Sequence, residues 1–144
     1  MCYNVLKIMG WVVFNLDDKL ELNTAKQLSP LNLAFIGDAV HTLFVRQKMQ
    51  YSSDDKVCDL NVKVAKVVCA KSQAELIDEL MPILTEEEVA IFKRGRNTKK
   101  GTRAKNATVQ EYNKSTGFEC LIGYLYLTGQ TDRLNYLLNY KENL

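Results

Sequence analysis

The sequence predicts an all-α fold, and three observations carry that expectation. Residues 28–46, Leu-Ser-Pro-Leu-Asn-Leu-Ala-Phe-Ile-Gly-Asp-Ala-Val-His-Thr-Leu-Phe-Val-Arg, open with Ser29 and Pro30. Serine is a good N-cap, and proline fits the first helical position, where its missing N–H costs nothing. Further on, Val57, Leu60, Val64, Val67, Val68, Ala74, Leu76, Ile77 and Leu80 recur at helical spacing. After residue 20 no stretch alternates apolar and polar residues with the period of two that marks a half-buried strand.

Taken in order, the first sixteen residues are apolar and densest at Trp11-Val12-Val13-Phe14. The run is too short to span a bilayer, and Lys7 interrupts it. No convincing small-residue cleavage site follows, which argues against a signal peptide. The segment reads as an added strand or helix packed on the body, or as the product of an upstream start codon, and its residues do not separate these. We set residues 1–22 apart as an N-terminal extension, within which Asp17 opens a polar connector with helical potential that runs to Gln27. The first long helix spans about 30–49, and 51–55 is a loop ending in N-cap residues. Residues 56–81 read as one long helix, with room for a bend, ended by Pro82. Its many valines alone would suit a strand, but Lys63, Lys66 and Lys71 and the absence of turn residues favour helix. Thr85-Glu86-Glu87-Glu88 is a capping box opening a short helix to about Arg94. Residues 95–101 form a basic loop, 107–127 a further helix, and Thr131 caps a last amphipathic helix carrying Leu134, Leu137 and Leu138. No repeat or low-complexity run appears, so 144 residues make one domain able to bury a normal core.

Composition excludes more than it selects. Hydrophobic residues at 47% and charged residues at 25% are ordinary for a soluble globular protein. The formal net charge of +2 hides a strong asymmetry. Seven of the 19 basic residues (Lys93, Arg94, Arg96, Lys99, Lys100, Arg103, Lys105) fall between Val89 and Gln110 with no acidic residue among them. The rest of the chain holds 12 basic against 17 acidic residues, a net of −5. A basic segment on an acidic body is a local anion site. Asn97, Thr98, Thr102 and Asn106 add neutral donors and acceptors suited to phosphate, ribose hydroxyls and base edges. A solvated loop is the commoner origin of charge runs, yet seven unbalanced positives favour RNA. No aromatic residue lies in the loop, which points to a duplex rather than a stacked single strand. Cys2, Cys58, Cys69 and Cys120 form no C-x-x-C, and His41 is the only histidine, so a zinc site is disfavoured and a reduced, intracellular chain is expected. His41 lies one turn after Asp38; a place on the helix surface or beside the site is favoured over catalysis.

The first long helix is apolar on more than one side, through Leu33, Phe35, Ile36, Val40, Leu43, Phe44 and Val45. Such a helix is buried on several sides or pairs with a partner. Gly37 in its middle costs about 1 kcal/mol relative to alanine, which suggests close approach of another group. Asp38 is the only acidic residue between Glu21 and Asp54. Its second candidate partner is Glu119, set beside Phe118 and Cys120-Leu121-Ile122. Two helices that each present a carboxylate can hold Mg²⁺, which binds through one or two carboxylates and keeps most of its waters. Each residue has a plainer reading. A buried, hydrogen-bonded Asp38 stands level with the metal reading, and Thr116 with Glu119 has capping-box spacing, which local sequence favours.

Ala34-Phe35-Ile36-Gly37-Asp38-Ala39-Val40 resembles the signature helix of the ribonuclease III family. Three later stretches narrow the resemblance: Lys71-Ser72-Gln73-Ala74-Glu75, Lys93-Arg94-Gly95-Arg96-Asn97, and Phe118-Glu119-Cys120-Leu121-Ile122-Gly123-Tyr124-Leu125. Together, over roughly residues 25–140, they are similar to the short Mini-ribonuclease III branch, which lacks a double-stranded-RNA-binding domain. The resemblance implies a ribonuclease III-type helical bundle over 23–144, assembled as a symmetric homodimer with Phe35 and Ile36 in the seam. It implies Asp38 and Glu119 as the catalytic, Mg²⁺-holding carboxylates, and Lys93, Arg94, Arg96, Asn97, Lys99, Lys100, Arg103, Lys105 and Asn106 as the grip on double-stranded RNA. Each subunit would cut one strand, leaving 5′-phosphates and 3′-hydroxyls. It further implies a cytoplasmic enzyme that matures 23S ribosomal RNA precursor, with a ribosomal protein that presents the substrate as a further partner and no membrane. One departure stands out. Longer family members carry a glutamate and an aspartate where this chain has Ala34 and Thr116, so the acidic set is two rather than four. That halving keeps a rival in play: a ribonuclease III fold that binds structured RNA as a ribosome-associated scaffold and cuts nothing. A helical DNA-binding protein using residues 86–113 leaves the signature helix unexplained.

Overall fold

The structure, a computed structural model, describes residues 7–8, 11–12, 15–101 and 105–142. Its helices are α1 (Leu22–Gln27), α2 (Pro30–Ser52), α3 (Val57–Val68), α4 (Ala70–Leu80), α5 (Glu86–Asn97), α6 (Val109–Leu127) and α7 (Thr131–Leu138), with short 3₁₀ turns at Met81–Ile83 and Tyr140–Glu142. Near the N-terminus, β1 (Lys7–Ile8) and β2 (Trp11–Val12) pair antiparallel, with Lys7 opposite Val12 and Ile8 opposite Trp11. The all-α expectation holds for the body.

Helix α6 runs through the middle, with α2, α4, α5 and α7 packed around it. From Ser115 to Leu125 every residue of α6 except Glu119 is buried. A helix buried all round is apolar all round, which is why this stretch shows no amphipathic stripe. Leu33, Ile77, Leu80, Phe118, Leu121, Ile122, Tyr124 and Leu125 make the inner core. No buried side-chain nitrogen or oxygen among the described residues lacks a partner.

Several helix boundaries differ from the sequence expectation. Ser29 caps α2 as expected, its Oγ accepting from the Asn32 amide at 3.1 Å, and the Thr85–Glu88 capping box is present in both directions. The expected long helix over 56–81 is two helices. Cys69 turns extended at ψ 156°, and α4 starts afresh behind it. The Ser72 hydroxyl donates to the Lys66 carbonyl at 2.7 Å, which satisfies a terminal acceptor of α3 and makes the break cheap. No Gly or Pro marks it. Helix α5 extends to Asn97, so the first three residues of the expected basic loop are helical. Gln130 rather than Thr131 is the N-cap of α7. Thr116 is no N-cap. It lies mid-helix with its hydroxyl donating to the Tyr112 carbonyl at 3.0 Å. The capping box of α6 is Thr108 with Glu111, which frees Glu119 for another role.

Candidate functional site

The site begins with a contact between two backbones. A Cβ placed on Gly37 would lie 1.7 Å from the carbonyl oxygen of Glu119, and one on Gly123 would lie 1.9 Å from that of Leu33. Only glycines let α2 and α6 cross this closely. Asp38 follows the first glycine, and Glu119 lies one turn before the second, so the crossing brings Asp38 near enough for its charge to act on Glu119. Asp38 is exposed in the single chain, which removes the alternative of a buried, hydrogen-bonded aspartate, and Glu119 is half-buried.

Burial, and next the charge of Asp38, push the Glu119 carboxyl up to about 7. A hydrogen bond from the Gln73 side chain and the charge of Lys100 oppose that rise. Two carboxylates forced together at the edge of a core favour a cation between them. The described residues hold no group of three or more His, Cys, Asp and Glu that suits a metal. A pair of carboxylates fits Mg²⁺, which needs few protein oxygens, better than it fits zinc.

Behind the carboxylates lies a polar cluster: His41, beside the site as one of its two expected places had it, with Gln73 and Ser115, which sequence reasoning missed. His41 is 3% exposed, not on the helix surface, and its ring meets Phe118 edge-on at 5.0 Å. Burial pushes it down to about 4, so it is neutral at pH 7. Gln73, fully buried on α4, contacts His41 Nδ1 at 3.0 Å through Nε2 and accepts from the Ser115 hydroxyl through Oε1. The signal was a polar residue in the buried stripe formed with Ala74, Ile77 and Leu80.

Metal-free stability then carries two opposed pH terms. Glu119 titrates near 7 when folded against an ordinary 4.5, so folding favours its protonated form and stability falls as pH rises through 4.5–7. His41 titrates near 4 against 6.5, so folding favours its neutral form and stability falls as pH drops from 6.5 to 4. The terms offset between 4.5 and 6.5. In Glu119→Gln the first vanishes: melting in EDTA is expected to show stability rising with pH up to 6.5, then level, and above that of the wild type at pH 8. A variant curve that overlays the wild type would refute this.

The residues expected to bind RNA divide. Lys93, Asn97, Lys99, Lys105 and Asn106 are exposed on the end of α5 and the connection to α6. Arg96 is half-buried, with its guanidinium carbon 5.6 Å from the Phe92 ring centroid and Nε donating to Asn97 Oδ1 at 3.1 Å. Arg103 lies outside the described residues. Arg94 is the correction: its Nη1 and Nη2 donate to the carbonyls of Lys26 and Leu28 at 2.8 and 3.0 Å, tying α5 to the α1–α2 corner. Lys100 turns inward, donating to Asn113 Oδ1 at 2.8 Å beside the Tyr112 ring, and its charge reaches Glu119. On α2, Phe35 is 78% exposed and Ile36 half-buried. Leu31, Phe35 and Leu43 form an exposed apolar stripe at helical spacing, with Asp38 at its flank.

The family described as "Ribonuclease III domain" matches residues 31–130, which contain every element of this site. The chain belongs to the ribonuclease III family. Curated relatives called Mini-ribonuclease 3 include that of Clostridium tetani, 46% identical over 83% of this chain and 80% of the relative. That of Thermoanaerobacter sp. is 48% identical over 77% and 78%, and that of Staphylococcus aureus 44% over 85% and 92%. A crystal structure of a Fusobacterium nucleatum protein superposes with a TM-score of 0.73 at 32% identity, over 83% of this chain and 97% of that one. Membership makes this chain an endoribonuclease of the ribonuclease III type. No helix among the described residues is long and apolar enough to cross a membrane.

Proposed function

We propose that this chain is a Mg²⁺-dependent endoribonuclease that cleaves double-stranded RNA as a homodimer, with Asp38 and Glu119 holding the cation. The observation that carries the reading is the Gly37–Gly123 crossing, which forces two carboxylates together at a cost that a divalent cation would offset. When bound, Mg²⁺ supplies a water nucleophile and stabilises charge on the leaving oxygen. The chain's own part is to hold the ion and to grip phosphates. Lys93, Arg96, Asn97, Lys99, Lys105 and Asn106 neutralise and hydrogen-bond the duplex, Arg103 belongs to the same basic run, and Lys100 balances charge beside Glu119. Arg94 drops out of the phosphate grip because backbone carbonyls hold both its terminal nitrogens.

The exposed stripe on α2 supports the dimer. A Phe 78% exposed at the centre of an apolar stripe is unusual on a monomer surface. A second copy packed across a two-fold axis would cover Phe35 and Ile36 and set the two carboxylate pairs against the two strands. Resemblance to the Mini-ribonuclease III branch supports maturation of 23S ribosomal RNA precursor in the cytoplasm, with a ribosomal protein presenting the stem. We take 23–144 as the catalytic domain and 1–22 as its extension.

A scaffold that binds RNA without cutting is the second reading. It draws on Ala34 and Thr116, both 5% exposed, which leave no further carboxylate for a second full metal set. It leaves unexplained why two carboxylates sit where phosphates would approach. The test is a labelled RNA duplex incubated with the protein in Mg²⁺, in EDTA, and in Ca²⁺ for binding alone. Cleavage in Mg²⁺ only, into fragments with 5′-phosphates, is expected; binding without cleavage of duplexes or of a ribosomal precursor stem favours the scaffold. Sedimentation is expected to give twice the 16.4 kDa chain mass, and Phe35→Glu to give one.

A further inference from the structure

The chain's one histidine carries a hydrogen-bond donor for which the described residues supply no acceptor. Gln73 Nε2 stands 3.0 Å from His41 Nδ1, while Gln73 Oε1 takes the Ser115 hydroxyl. An amide NH₂ only donates, so Nδ1 must be bare, the ring neutral, and the ring hydrogen on Nε2. No hydrogen bond among the described residues ends on Nε2. Yet no fully buried side-chain nitrogen among them lacks a partner, so Nε2 is not sealed into the core. It is reached from outside, although the residue as a whole is 3% exposed.

The opening that His41 lines is a cavity of about 310 Å³ between α2, α3, α4 and the end of α7. Of its lining only His41 and Val45 are buried, so these two make its floor. Phe44, Met49, Leu76 and Leu138 give it apolar sides. The rim is charged but balanced. Lys48 pairs with Glu142 and Lys141 with Glu79, which draws the 3₁₀ turn Tyr140–Glu142 across to α2 and α4, and Lys66 and Glu75 add one charge of each sign. Protein cores hold few voids larger than a water molecule, so a space of this size is not loose packing. Small-molecule sites have such a volume, apolar walls and a few polar groups that fix orientation.

We propose that this cavity binds a small, uncharged, apolar molecule through a carbonyl oxygen that accepts the His41 Nε2 hydrogen at the floor. The donor calls for an acceptor, because an apolar group laid against it would strip it of water and return no bond. A carboxylate does not suit the floor, where a neutral imidazole offers one hydrogen and no counter-ion for a desolvated charge. An ammonium group would meet the donor with donors of its own. The balanced rim attracts neither sign. The cavity uses neither Asp38 nor Glu119, so the site is independent of the metal reading given above.

The test titrates the tag-free chain with acetophenone, ethylbenzene and benzoate, alike in their ring and different at the polar end. With one histidine in the chain, nitrogen NMR of isotope-labelled protein reads His41 alone. We expect the ring hydrogen on Nε2, a saturable shift of that nitrogen with acetophenone, and a melting temperature raised by the same ligand. Ethylbenzene, which has no acceptor, and benzoate, which is charged, should each bind about tenfold more weakly. Val67→Trp fills the cavity from its exposed α3 wall and leaves the floor intact. It should keep the circular dichroism of the folded chain and abolish the acetophenone shift. A ring hydrogen on Nδ1, no saturable shift, or ethylbenzene bound as tightly as acetophenone each overturns the proposal. Benzoate bound tightest overturns it as well, and gives the site to the lysines of the rim. A shift that survives in folded Val67→Trp places binding elsewhere and overturns it too; if that variant does not fold, the wild-type titrations still decide.

Discussion

Asp38→Asn is expected to reduce duplex cleavage at least about 10³-fold, equivalent to some 4 kcal/mol of transition-state stabilisation, while duplex binding in Ca²⁺ stays within a few-fold. The asparagine keeps the shape and removes the charge, so the loss belongs to the cation and not to packing. Stability should move the other way. The Asp38 charge is the second largest cause of the raised Glu119 carboxyl, and Asp38 itself is exposed, so its own desolvation is slight. Removing the charge relieves Glu119, and the metal-free variant at pH 8 should melt a few degrees above the wild type. Added Mg²⁺ should then raise the melting temperature of the wild type, by about 2.7 kcal/mol of stabilisation at a hundredfold excess over its dissociation constant, and leave the variant nearly unmoved. Full cleavage by Asp38→Asn would remove Asp38 from the site. A variant that melts lower without metal would mean that Asp38 stabilises the fold rather than straining it.

What was legible in the chain was local. Ser29-Pro30 and Thr85 with Glu88 announce helix starts because a cap and its partner lie within four residues. The α2 pattern announced more than one apolar side, and the structure divides those sides between the core, through Leu33 and Val45, and an uncovered stripe, through Phe35 and Leu43. Gly37 announced a close approach without saying by what. Its partner, the backbone of α6 at Glu119 and Gly123, lies more than eighty residues on, and no periodicity links the two. Arg94 reads as one more cation in a basic run because its acceptors are backbone carbonyls near residue 27, which have no signature in sequence. The spacing of Thr116 and Glu119 imitates a capping box, and only the true box at Thr108 and Glu111 settles where α6 begins. Gln73 lies in a stretch that carries the family resemblance, but nothing local marks it as buried; α4, begun afresh after Cys69, packs its stripe of Gln73, Ala74, Ile77 and Leu80 against α6. Long-range contacts decided each of these, and they decide the site.

The crossing itself yields the sharpest structural expectation. In a free helix Gly37→Ala would gain about 1 kcal/mol from propensity. Here the new Cβ would fall 1.7 Å from the Glu119 carbonyl oxygen, with the Gly123 nitrogen at 2.8 Å. Neither obstacle is a side chain that can rotate away, so α2 and α6 must separate over several turns of core. Overpacking costs about 1–3 kcal/mol even where side chains yield, so the clash outweighs the propensity gain. A melting temperature lower by on the order of 10 °C is expected. Cleavage should fall further than stability alone explains, because the same separation parts Asp38 from Glu119, and a displacement of about 1 Å in a reacting constellation can cost 10²-fold. Gly101→Ala is the matched control for stability, since nothing lies within 4 Å of a Cβ there, and it should leave the melting temperature unchanged. Equal melting temperatures for the two variants would mean that α2 and α6 do not meet backbone to backbone, and the pairing of the two carboxylates would lose its cause.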